Sequence, residues 1–437
     1  MPKKKTALTI EERLQQALVP AEEQPYDVPE NWVWVRLLST FINKTDSKKK
    51  IQQKSYLNTG DYAVVDQGQN LIGGYTDDAS LQYDGELPVV VFGDHTRCVK
   101  YIDFKFVQGA DGVKILLPVK SYDSKFFYYA IMNLNIPNMG YRRHFPLFDK
   151  LSLPLPPLSE QQRIVERIEE FFAKLDEAKE RLQEVADSFA VRKAAILHKA
   201  FMGELTKQWR RENGVSDESW EEKKGEDFFE YVTSGSRGWA KYYSDKGSIF
   251  VRMGNLNHGT IELDFSDIQY VELPDQVEGQ RSKLQKNDIL ISITADVGMI
   301  GLVREDMDAY INQHVALARP KDNLYAEFLA WYFVSDVGLK QMQNKQRGAT
   351  KIGLGLQDIR SIILKIPSLP EQHEIVRLID NLLARERAAQ QATEQALASI
   401  DLMKKSILAR AFRGELGTNK ASEASALELL KQVLAEN

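Results

Sequence analysis

The chain has 437 residues, of which 43% are hydrophobic and 27% are charged, and its formal net charge is −5. This length exceeds what a single hydrophobic core normally supports, so we expect two or more domains. The single cysteine, Cys98, excludes an internal disulfide and a cysteine-based zinc site.

The N-terminal segment, residues 1–26, is predicted to be helical, with a helix over Ile10–Val19. Charged residues stand where a secretory signal has its apolar run. No stretch approaches the roughly 18 apolar residues of a membrane span. We therefore expect a cytoplasmic protein that contacts no membrane.

A segment of mixed character follows over residues 27–157. Runs such as Pro88–Phe92 and Val113–Leu117 are typical of short strands, and Ser124–Leu134 is typical of an aromatic-rich helix. Basic residues cluster within Arg36–Tyr56, a pattern that DNA-binding surfaces share with ordinary solvated faces, so charge alone leaves DNA binding open.

Residues 158–215 contain a long predicted helix, Glu160–Met202. Ser159 suits the N-cap of this helix and Gly203 suits its C-terminal end. Apolar residues recur at alternating steps of three and four, which predicts a coiled-coil seam. The seam residues are Ile164, Ile168, Phe171, Leu175, Ala178, Leu182, Val185, Phe189 and Ile196.

A second mixed segment, residues 216–368, has little similarity to the first. Its strand-like runs include Ile249–Met253, Ile289–Ile293 and His314–Ala318, and Tyr325–Met342 is predicted to be helical. The order of features therefore repeats: a variable mixed segment, then a long helix.

Residues 369–437, a second helix and a tail, complete an internal repeat. Leu153–Gln162 returns as Leu364–His373 and Phe201–Leu205 as Phe412–Leu416, both at an offset of 211 residues. About a third of the repeat is identical and it contains no gap, so we expect its two helices to pair with each other. The second seam is weaker and rich in small residues: Ile379, Leu382, Ala389, Ala396, Ile400, Met403 and Ile407.

Together these features predict an α+β fold in which two mixed α/β domains are separated by two long antiparallel helices forming a coiled coil. The repeat gives this arrangement approximate twofold symmetry. The N-terminal helix and the tail, Ser425–Leu434, should then lie close together.

No catalytic motif is present in the sequence. It lacks the Gly-x-x-x-x-Gly-Lys-Ser/Thr phosphate loop and the Asn/Asp-Pro-Pro-Tyr/Phe signature of adenine methylation, and its six histidines lack metal-ligand spacing. We expect a chain that is not an enzyme and holds no metal.

The repeated motifs carry a family resemblance. The helix entries PLPPLSEQQRIVERI and IPSLPEQHEIVRLI and the exits AFMGEL and AFRGEL resemble conserved regions of the specificity subunits of type I restriction–modification systems. Within the mixed segments, GDYAVVDQGQNLIGGYTDD and RGATKIGLGLQDI are similar to the target-recognition domains of that family. The resemblance covers nearly the whole chain.

The resemblance implies a DNA-binding scaffold for phage defence. Target-recognition domains at 27–157 and 216–368 would each read one half of a bipartite site in double-stranded DNA, with the conserved helices at 158–215 and 369–437 setting the gap. Two methyltransferase (M) subunits and two restriction (R) subunits would join the chain. S-adenosylmethionine, ATP and magnesium would act in those partners, and this chain would bind no cofactor.

Residue chemistry narrows the DNA contacts, because Arg, Lys, Asn and Gln favour base edges while Lys, Arg, Ser and Thr favour phosphates. Two loops, Gly140–Phe145 and Gln346–Lys351, each precede the closing strand of their domain. In the first domain we predict Lys48, Lys49, Lys50, Gln67, Gln69, Tyr75, His95, Arg97, Arg142, Arg143 and His144. In the second domain we predict Asn255, Asn257, Thr294, Gln313, Arg347, Thr350 and Lys351.

Two other functions fit the same sequence. The chain could serve a methylation-only or related phage-defence complex, a distinction that lies in the partner genes. It could also be a coiled-coil scaffold that binds proteins and no DNA, although such a scaffold needs no loops of basic and amide residues at matching positions in two domains.

Overall fold

The structure, a computed structural model, describes residues 9–274, 279–346 and 353–436. Most of its helical residues lie in two helices of 44 and 43 residues, which agrees with the two long helices of the repeat. In chain order, the α-helices of the described residues are α1 (Ile10–Ala17), α2 (Ser124–Asn133), α3 (Leu158–Phe201), α4 (Lys207–Glu212), α5 (Gly225–Phe228), α6 (Ala326–Val334), α7 (Asp336–Asn344), α8 (Leu356–Arg360), α9 (Leu369–Ala411) and α10 (Ala426–Glu436).

The chain forms two compact units. Unit 1 comprises Met1–Leu182 and Ala396–Asn437, and unit 2 comprises Gln183–Gln395. Each unit contains one of the mixed segments together with a part of α3 and a part of α9.

The strands of the described residues are β1 (Val33–Arg36), β2 (Phe41–Asn43), β3 (Tyr62–Val65), β4 (Gly74–Thr76), β5 (Val89–Gly93), β6 (Val99–Ile102), β7 (Val107–Gln108), β8 (Val113–Pro118), β9 (Ser152–Leu155), β10 (Glu221–Lys224), β11 (Phe229–Ser234), β12 (Tyr243–Ser244), β13 (Ser248–Val251), β14 (Tyr270–Val271), β15 (Ile289–Ser292), β16 (Ile300–Leu302), β17 (Ala309–Ile311), β18 (Val315–Pro320) and β19 (Ile363–Ile366).

Unit 1 is built around a four-stranded antiparallel sheet in the order β2-β8-β5-β6. All five residues of β5 are buried, because helix α2 and loops cover the sheet. Asp123 caps α2 by accepting hydrogen bonds from the backbone of Lys125 and Phe126, and Phe92 and Phe148 join Phe126 in the core. A smaller sheet, β4-β3-β7, contains one parallel pair, and β1 pairs with β9 where the domain begins and ends.

Unit 2 repeats this plan with different residues. Its main antiparallel sheet has the order β11-β18-β15-β16, and its smaller sheet has the order β12-β14-β13-β17 with β13 parallel to β17. Strands β10 and β19 pair antiparallel where the domain begins and ends. Helix α6 is buried over nearly its whole length, with Phe328, Tyr332 and Phe333 in the largest core cluster.

The two mixed segments therefore share one fold despite their dissimilar sequences. In both main sheets the strand that comes last in the chain, β8 or β18, lies between the strand that comes first, β2 or β11, and the β5 or β15 strand. In both smaller sheets a parallel pair, β3 with β7 or β13 with β17, precedes β8 or β18. The predicted α+β class with two recognition domains is confirmed.

Helices α3 and α9 run antiparallel within each unit. In unit 1, Lys179 Nζ lies 3.4 Å from Asp401 Oδ1, and Lys404 Nζ lies 2.5 Å from Asp176 Oδ1. In unit 2, Arg192 Nε lies 2.8 Å from Glu386 Oε2. Residue numbers rise along α3 as they fall along α9, which confirms the predicted antiparallel pair.

The first and last of the described helices, α1 and α10, meet in unit 1, as the repeat predicts. Helix α1 packs against α10, and Arg13 Nη1 donates a hydrogen bond to the Leu434 carbonyl oxygen at 2.9 Å. Thr9 begins α1 with a capping box in which its side chain and that of Glu12 satisfy each other's backbone N–H groups. None of the described helices is long and apolar enough to cross a membrane.

Several local predictions are wrong. Helix α3 begins at Leu158, so Ser159 lies inside its first turn and is not its N-cap. The predicted Tyr325–Met342 helix is two helices, because Ser335 ends α6 and its side chain caps α7 by accepting from Gly338 N. Val185 and Met403 are exposed (41% and 50%), because a two-helix seam covers only a narrow stripe.

Candidate nucleic-acid interface

A buried glutamine at the start of each long helix fixes the recognition domain to that helix. Gln161 Nε2 donates to the carbonyl oxygens of Ser121 and Pro156, and Gln161 Oε1 accepts from Asp123 N at 2.7 Å, where α2 begins. Gln372 repeats this arrangement, since its Oε1 accepts from Tyr325 N at 2.9 Å, where α6 begins. The Glu-Gln repeat is therefore structural: it orients the aromatic helix of each domain.

The preceding glutamate of each repeat is buried and binds the segment that follows the other long helix. Glu160 accepts from Trp32 Nε1 at 2.7 Å and from Asn419 Nδ2 at 2.9 Å. Glu371 accepts from Thr206 Oγ1 and from Arg210 Nη1, both at 2.7 Å. A buried carboxylate needs such partners to offset its lost hydration. These contacts hold each recognition domain on a fixed helical base.

Three loops meet at one edge of the unit 1 main sheet. Gly93, the end of β5, pairs with Val113, the start of β8. One residue further on, Asp94 N donates to Gly112 O at 2.6 Å, and His144 N donates to Asp94 O at 2.8 Å. The turn after β5, the β7–β8 connection and the loop after α2 are thereby joined by backbone hydrogen bonds.

Unit 2 forms the same junction at matching positions. Ser292 pairs with Val315, Ile293 N donates to His314 O at 3.0 Å, and Leu354 N donates to Ile293 O at 2.8 Å. The register thus makes His95 equivalent to Thr294, Asp111 to Gln313 and His144 to Leu354. We name these junctions loop surface 1 (residues 94–97, 109–112 and 137–145) and loop surface 2 (residues 293–299, 312–314 and 353–355).

Four residues that the sequence predicts to contact DNA lie within or beside loop surface 1: His95, Arg143, Gln67 and Lys50. His95 N donates to Gln67 Oε1 at 3.2 Å, and the ring Nδ1 of His95 donates to the Tyr141 carbonyl oxygen at 3.0 Å. Lys50 Nζ lies 2.6 Å from Asp111 Oδ1, and Arg143 Nε lies 4.0 Å from the buried carboxylate of Asp94. Together these groups form a polar, partly exposed surface on which each of these two cations lies near a carboxylate.

The other predictions in unit 1 lie at varied places. Lys48, Gln69 and Arg142 are exposed, Lys49 pairs with Asp84, and Tyr75 lies in β4. Arg97 has a positive φ of 61° and donates from Nη1 to Ile136 O at 2.9 Å, so it holds the segment after α2.

Two predicted contact residues are buried in this structure. The His144 side chain is inaccessible, with its Nδ1 bonded to Asp94 O at 2.8 Å and its Nε2 accepting from Met139 N. Asn255 is 3% exposed, and its amide donates to the carbonyl oxygens of Asp264 and Asp267. Both side chains shape their loops from within and have no surface to offer a ligand.

Loop surface 2 contains a short relay of polar side chains. Gln313 Nε2 donates to His314 Nε2 at 3.0 Å, so the ring donates through Nδ1 to Thr294 Oγ1 at 2.6 Å. This leaves the Thr294 hydroxyl proton and the Gln313 Oε1 available to a ligand. Asn257 is exposed near this surface, bridging to Ile300 in the sheet. The predicted residues Arg347, Thr350 and Lys351 lie outside the described residues.

Sequence reasoning missed three residues of these surfaces. Tyr141 is 98% exposed at the tip of the loop after α2. Asp111 and His314 lie in the connections that precede β8 and β18. The adjacent arginines Arg142 and Arg143 could have drawn attention to Tyr141. An acidic residue such as Asp111 does not by itself indicate DNA binding, so the sequence offers no signal for it.

The side chains of the two loop surfaces are chemically suited to contacts with DNA. Their exposed groups include amide, hydroxyl, imidazole and cationic side chains, which hydrogen-bond base edges or pair with phosphates, and the carboxylate of Asp111. Among the described residues, no group of three or more His, Cys, Asp or Glu side chains is placed to hold a metal ion. The fold and these surfaces define a protein with two recognition domains of one design on a shared pair of helices.

Comparison with known proteins identifies the family. Residues 29–187 and 217–397 match the family described as type I restriction modification DNA specificity domain. The chain is 30% identical over 352 residues to the type I restriction enzyme EcoBI specificity subunit of Escherichia coli, covering 74% of each protein. It is 28% identical over 308 residues to the EcoKI specificity subunit of Escherichia coli strain K12, covering 66% of this chain and 64% of that protein.

Solved structures share the fold. The HsdS subunit from Thermoanaerobacter tengcongensis aligns with a TM-score of 0.59 and 16% identity over 90% of this chain and 99% of that one. A chain from a structure of type I R-M complex assembly and conformational transition aligns with a TM-score of 0.63 and 17% identity, covering 90% of this chain and 100% of that chain. The chain belongs to the type I restriction–modification specificity subunits, which are non-catalytic, with the enzymatic activity in other subunits.

Proposed function

We propose that the chain reads a bipartite site in double-stranded DNA, one half-site per recognition domain. The observation that carries this proposal is the junction of three loops at register-equivalent positions in both units. Each junction exposes side chains suited to base edges, and loop surface 1 adds cations suited to phosphates. The two surfaces carry different residues on one backbone design, as two readers of different sequences require.

The antiparallel helices supply the second part of the proposal, a fixed gap between the half-sites. Two readers on one face of DNA must be about one helical turn apart, roughly 34–36 Å, or a multiple of that distance. A paired helix adds about 1.5 Å per residue and keeps its length better than a flexible linker. The gap would therefore be encoded in the lengths of α3 and α9.

The third part concerns the complex. Two methyltransferase subunits and two restriction subunits would assemble on this chain, and S-adenosylmethionine, ATP and magnesium would be bound by those partners. The absence of a phosphate loop and a methylation signature from the full sequence supports this division. The complex would act in the cytoplasm, where its DNA substrate is found.

A domain exchange tests the bipartite reading. Residues 216–368 are replaced by the second recognition domain of another family member, and the methylome of cells carrying the chimera is sequenced. One half of the methylated motif should change while the other half stays the same, because each domain makes its own base contacts. A motif changed in both halves would show that the domains do not read independently, and the unaltered chain provides the reference motif.

A further inference from the structure

Asp111 stands out as an exposed carboxylate near the side chains of Lys50, Arg143 and His95. Its side chain is 67% exposed, and its backbone is held on both sides. Before it, Ala110 N donates to Ile51 O at 2.8 Å, and after it Gly112 O accepts from Asp94 N at 2.6 Å. The carboxylate therefore projects from a fixed point on loop surface 1.

The groups around Asp111 keep it ionised. The Lys50 ammonium, 2.6 Å away, lowers the pKa of the Asp111 carboxyl, and Arg143 and His95 lower it further. An ionised carboxylate is a hydrogen-bond acceptor only, and this one has oxygen lone pairs beyond the single contact to Lys50. Loop surface 1 thus presents one strong acceptor at a fixed position among donors.

A carboxylate on a surface that faces DNA is repelled by the phosphates, and a hydrogen bond that it accepts from a base can offset this cost. Within the major groove, aspartate and glutamate accept from the N4 amino group of cytosine. We propose that Asp111 is a specificity-determining residue that reads a cytosine amino group in one half-site, with Lys50 positioning its carboxylate. This inference rests on the proposed function and names a base contact within it.

The register of the two sheets supports this assignment. Asp111 and Gln313 lie two residues before the first residues of β8 and β18, Val113 and Val315, which pair with equivalent residues of β5 and β15. Glutamine reads adenine through paired hydrogen bonds, whereas aspartate accepts from cytosine. The same position in the two domains would thus read different bases and give each half-site its own sequence.

The test uses the full chain in its native complex, with methylome sequencing as the readout. Asp111→Ala should relax the motif at one base position of one half-site, lowering discrimination there by about 10-fold or more. Asp111→Asn keeps the side-chain size and should shift that position from cytosine towards adenine, because asparagine donates as well as accepts. The matched control is Asp84→Ala, since Asp84 is an exposed carboxylate paired with Lys49 at 2.7 Å.

The outcomes separate a base contact from a counter-charge. If Asp111 only neutralises Lys50, Asp111→Ala and Asp84→Ala will both strengthen binding to all sequences and leave the motif unchanged, which overturns the inference. A motif that stays unchanged in both Asp111 variants would also overturn the inference. Failure of the proposed function is distinct, because the complex with the unaltered chain would then methylate no bipartite motif.

Discussion

At the residue scale, the most consequential side chains are the buried charges at the helix starts. Glu371 is fully buried and Arg210 is 6% exposed, and their charged atoms lie 2.7 Å apart. Arg210 also reaches Asp217 at 3.0 Å and the Gly203 carbonyl oxygen at 2.8 Å. The turn after α3 is therefore attached to the start of α9 through one guanidinium group.

Removing the carboxylate should be strongly destabilising. Glu371→Ala removes the buried carboxylate partner of the guanidinium and leaves it the exposed carboxylate of Asp217, which should cost about 3–5 kcal/mol in the free energy of unfolding. Urea unfolding of the full chain measures this loss. Glu394→Ala, an exposed position on the same helix, is the control and should change stability by about 0.5 kcal/mol or less. A loss that small for Glu371→Ala would show that the pair contributes nothing net.

The sequence predicted the place of one loop better than it predicted the directions of single side chains. Gly140–Phe145 precedes β9, the strand that ends its domain, and His144 N in this loop donates to Asp94 O. Of the matching loop Gln346–Lys351, all but Gln346 lies outside the described residues. The direction of a loop side chain depends on tertiary contacts with distant residues, so the burial of His144 and Asn255 could not be predicted. The DNA contacts of the exposed candidates remain predictions.

At the element scale, the helices and the central strands followed from periodicity and the repeat. The five strand-like runs correspond to observed strands within about two residues at each end. Four of these strands lie in the main sheets, and the run Ile249–Met253 corresponds to β13 of the smaller sheet in unit 2. Ser335 broke the expected helix because its hydroxyl caps α7, a local hydrogen bond that competes with a continuous helix. The shared topology of the two domains was not visible in their sequences, since different residues fill the two cores.

The tail of unit 1 is attached by a pH-sensitive ion pair. Arg163 of α3 donates two hydrogen bonds to Glu423, at 2.9 and 2.8 Å, and a third to the Thr418 carbonyl oxygen. The guanidinium lowers the pKa of the Glu423 carboxyl below its ordinary value. The stability from this pair is therefore present above the unfolded-state pKa of about 4.3 and is lost as pH falls through the lowered folded-state value.

Glu423→Gln tests this attachment. At pH 7 the substitution should lower the free energy of unfolding by about 1 kcal/mol or less, because the pair is partly exposed. The difference from the unaltered chain should shrink as the pH falls below about 4, where the native carboxyl also becomes neutral. Thermal unfolding of both proteins at several pH values gives the comparison. Glu428→Gln removes an exposed carboxylate from α10 and should have little effect, so a similar loss in both variants would contradict a specific role for Glu423.

At the scale of the whole molecule, the internal repeat determines how the chain is divided. Each unit takes its helical base from both long helices, and unit 1 takes it from both ends of the chain. The sequence predicted this arrangement, because two antiparallel helices place the end of each helix beside the start of the other. The buried contacts of Glu160 with Asn419 and of Glu371 with Thr206 join these helix starts to the segments that follow the opposite helix.

If the helix pair sets the gap between half-sites, lengthening both helices should lengthen the gap. The two insertion points follow Leu182 and Gln395, which lie between the Lys179–Asp401 and Arg192–Glu386 ion pairs and so leave the contacts of each unit intact. Four residues at each point form a stutter that paired helices accommodate. They add roughly 6 Å to the pair.

At roughly 3.4 Å per base pair, this insertion should lengthen the unread spacer by one to two base pairs without altering either half-site. Methylome sequencing of cells carrying the double insertion reads the spacer directly. An insertion in α3 alone is the control: it displaces the seam of one helix against the other and should abolish methylation or reduce it severely. An active double insertion with an unchanged spacer would mean that a feature other than the length of α3 and α9 sets the distance.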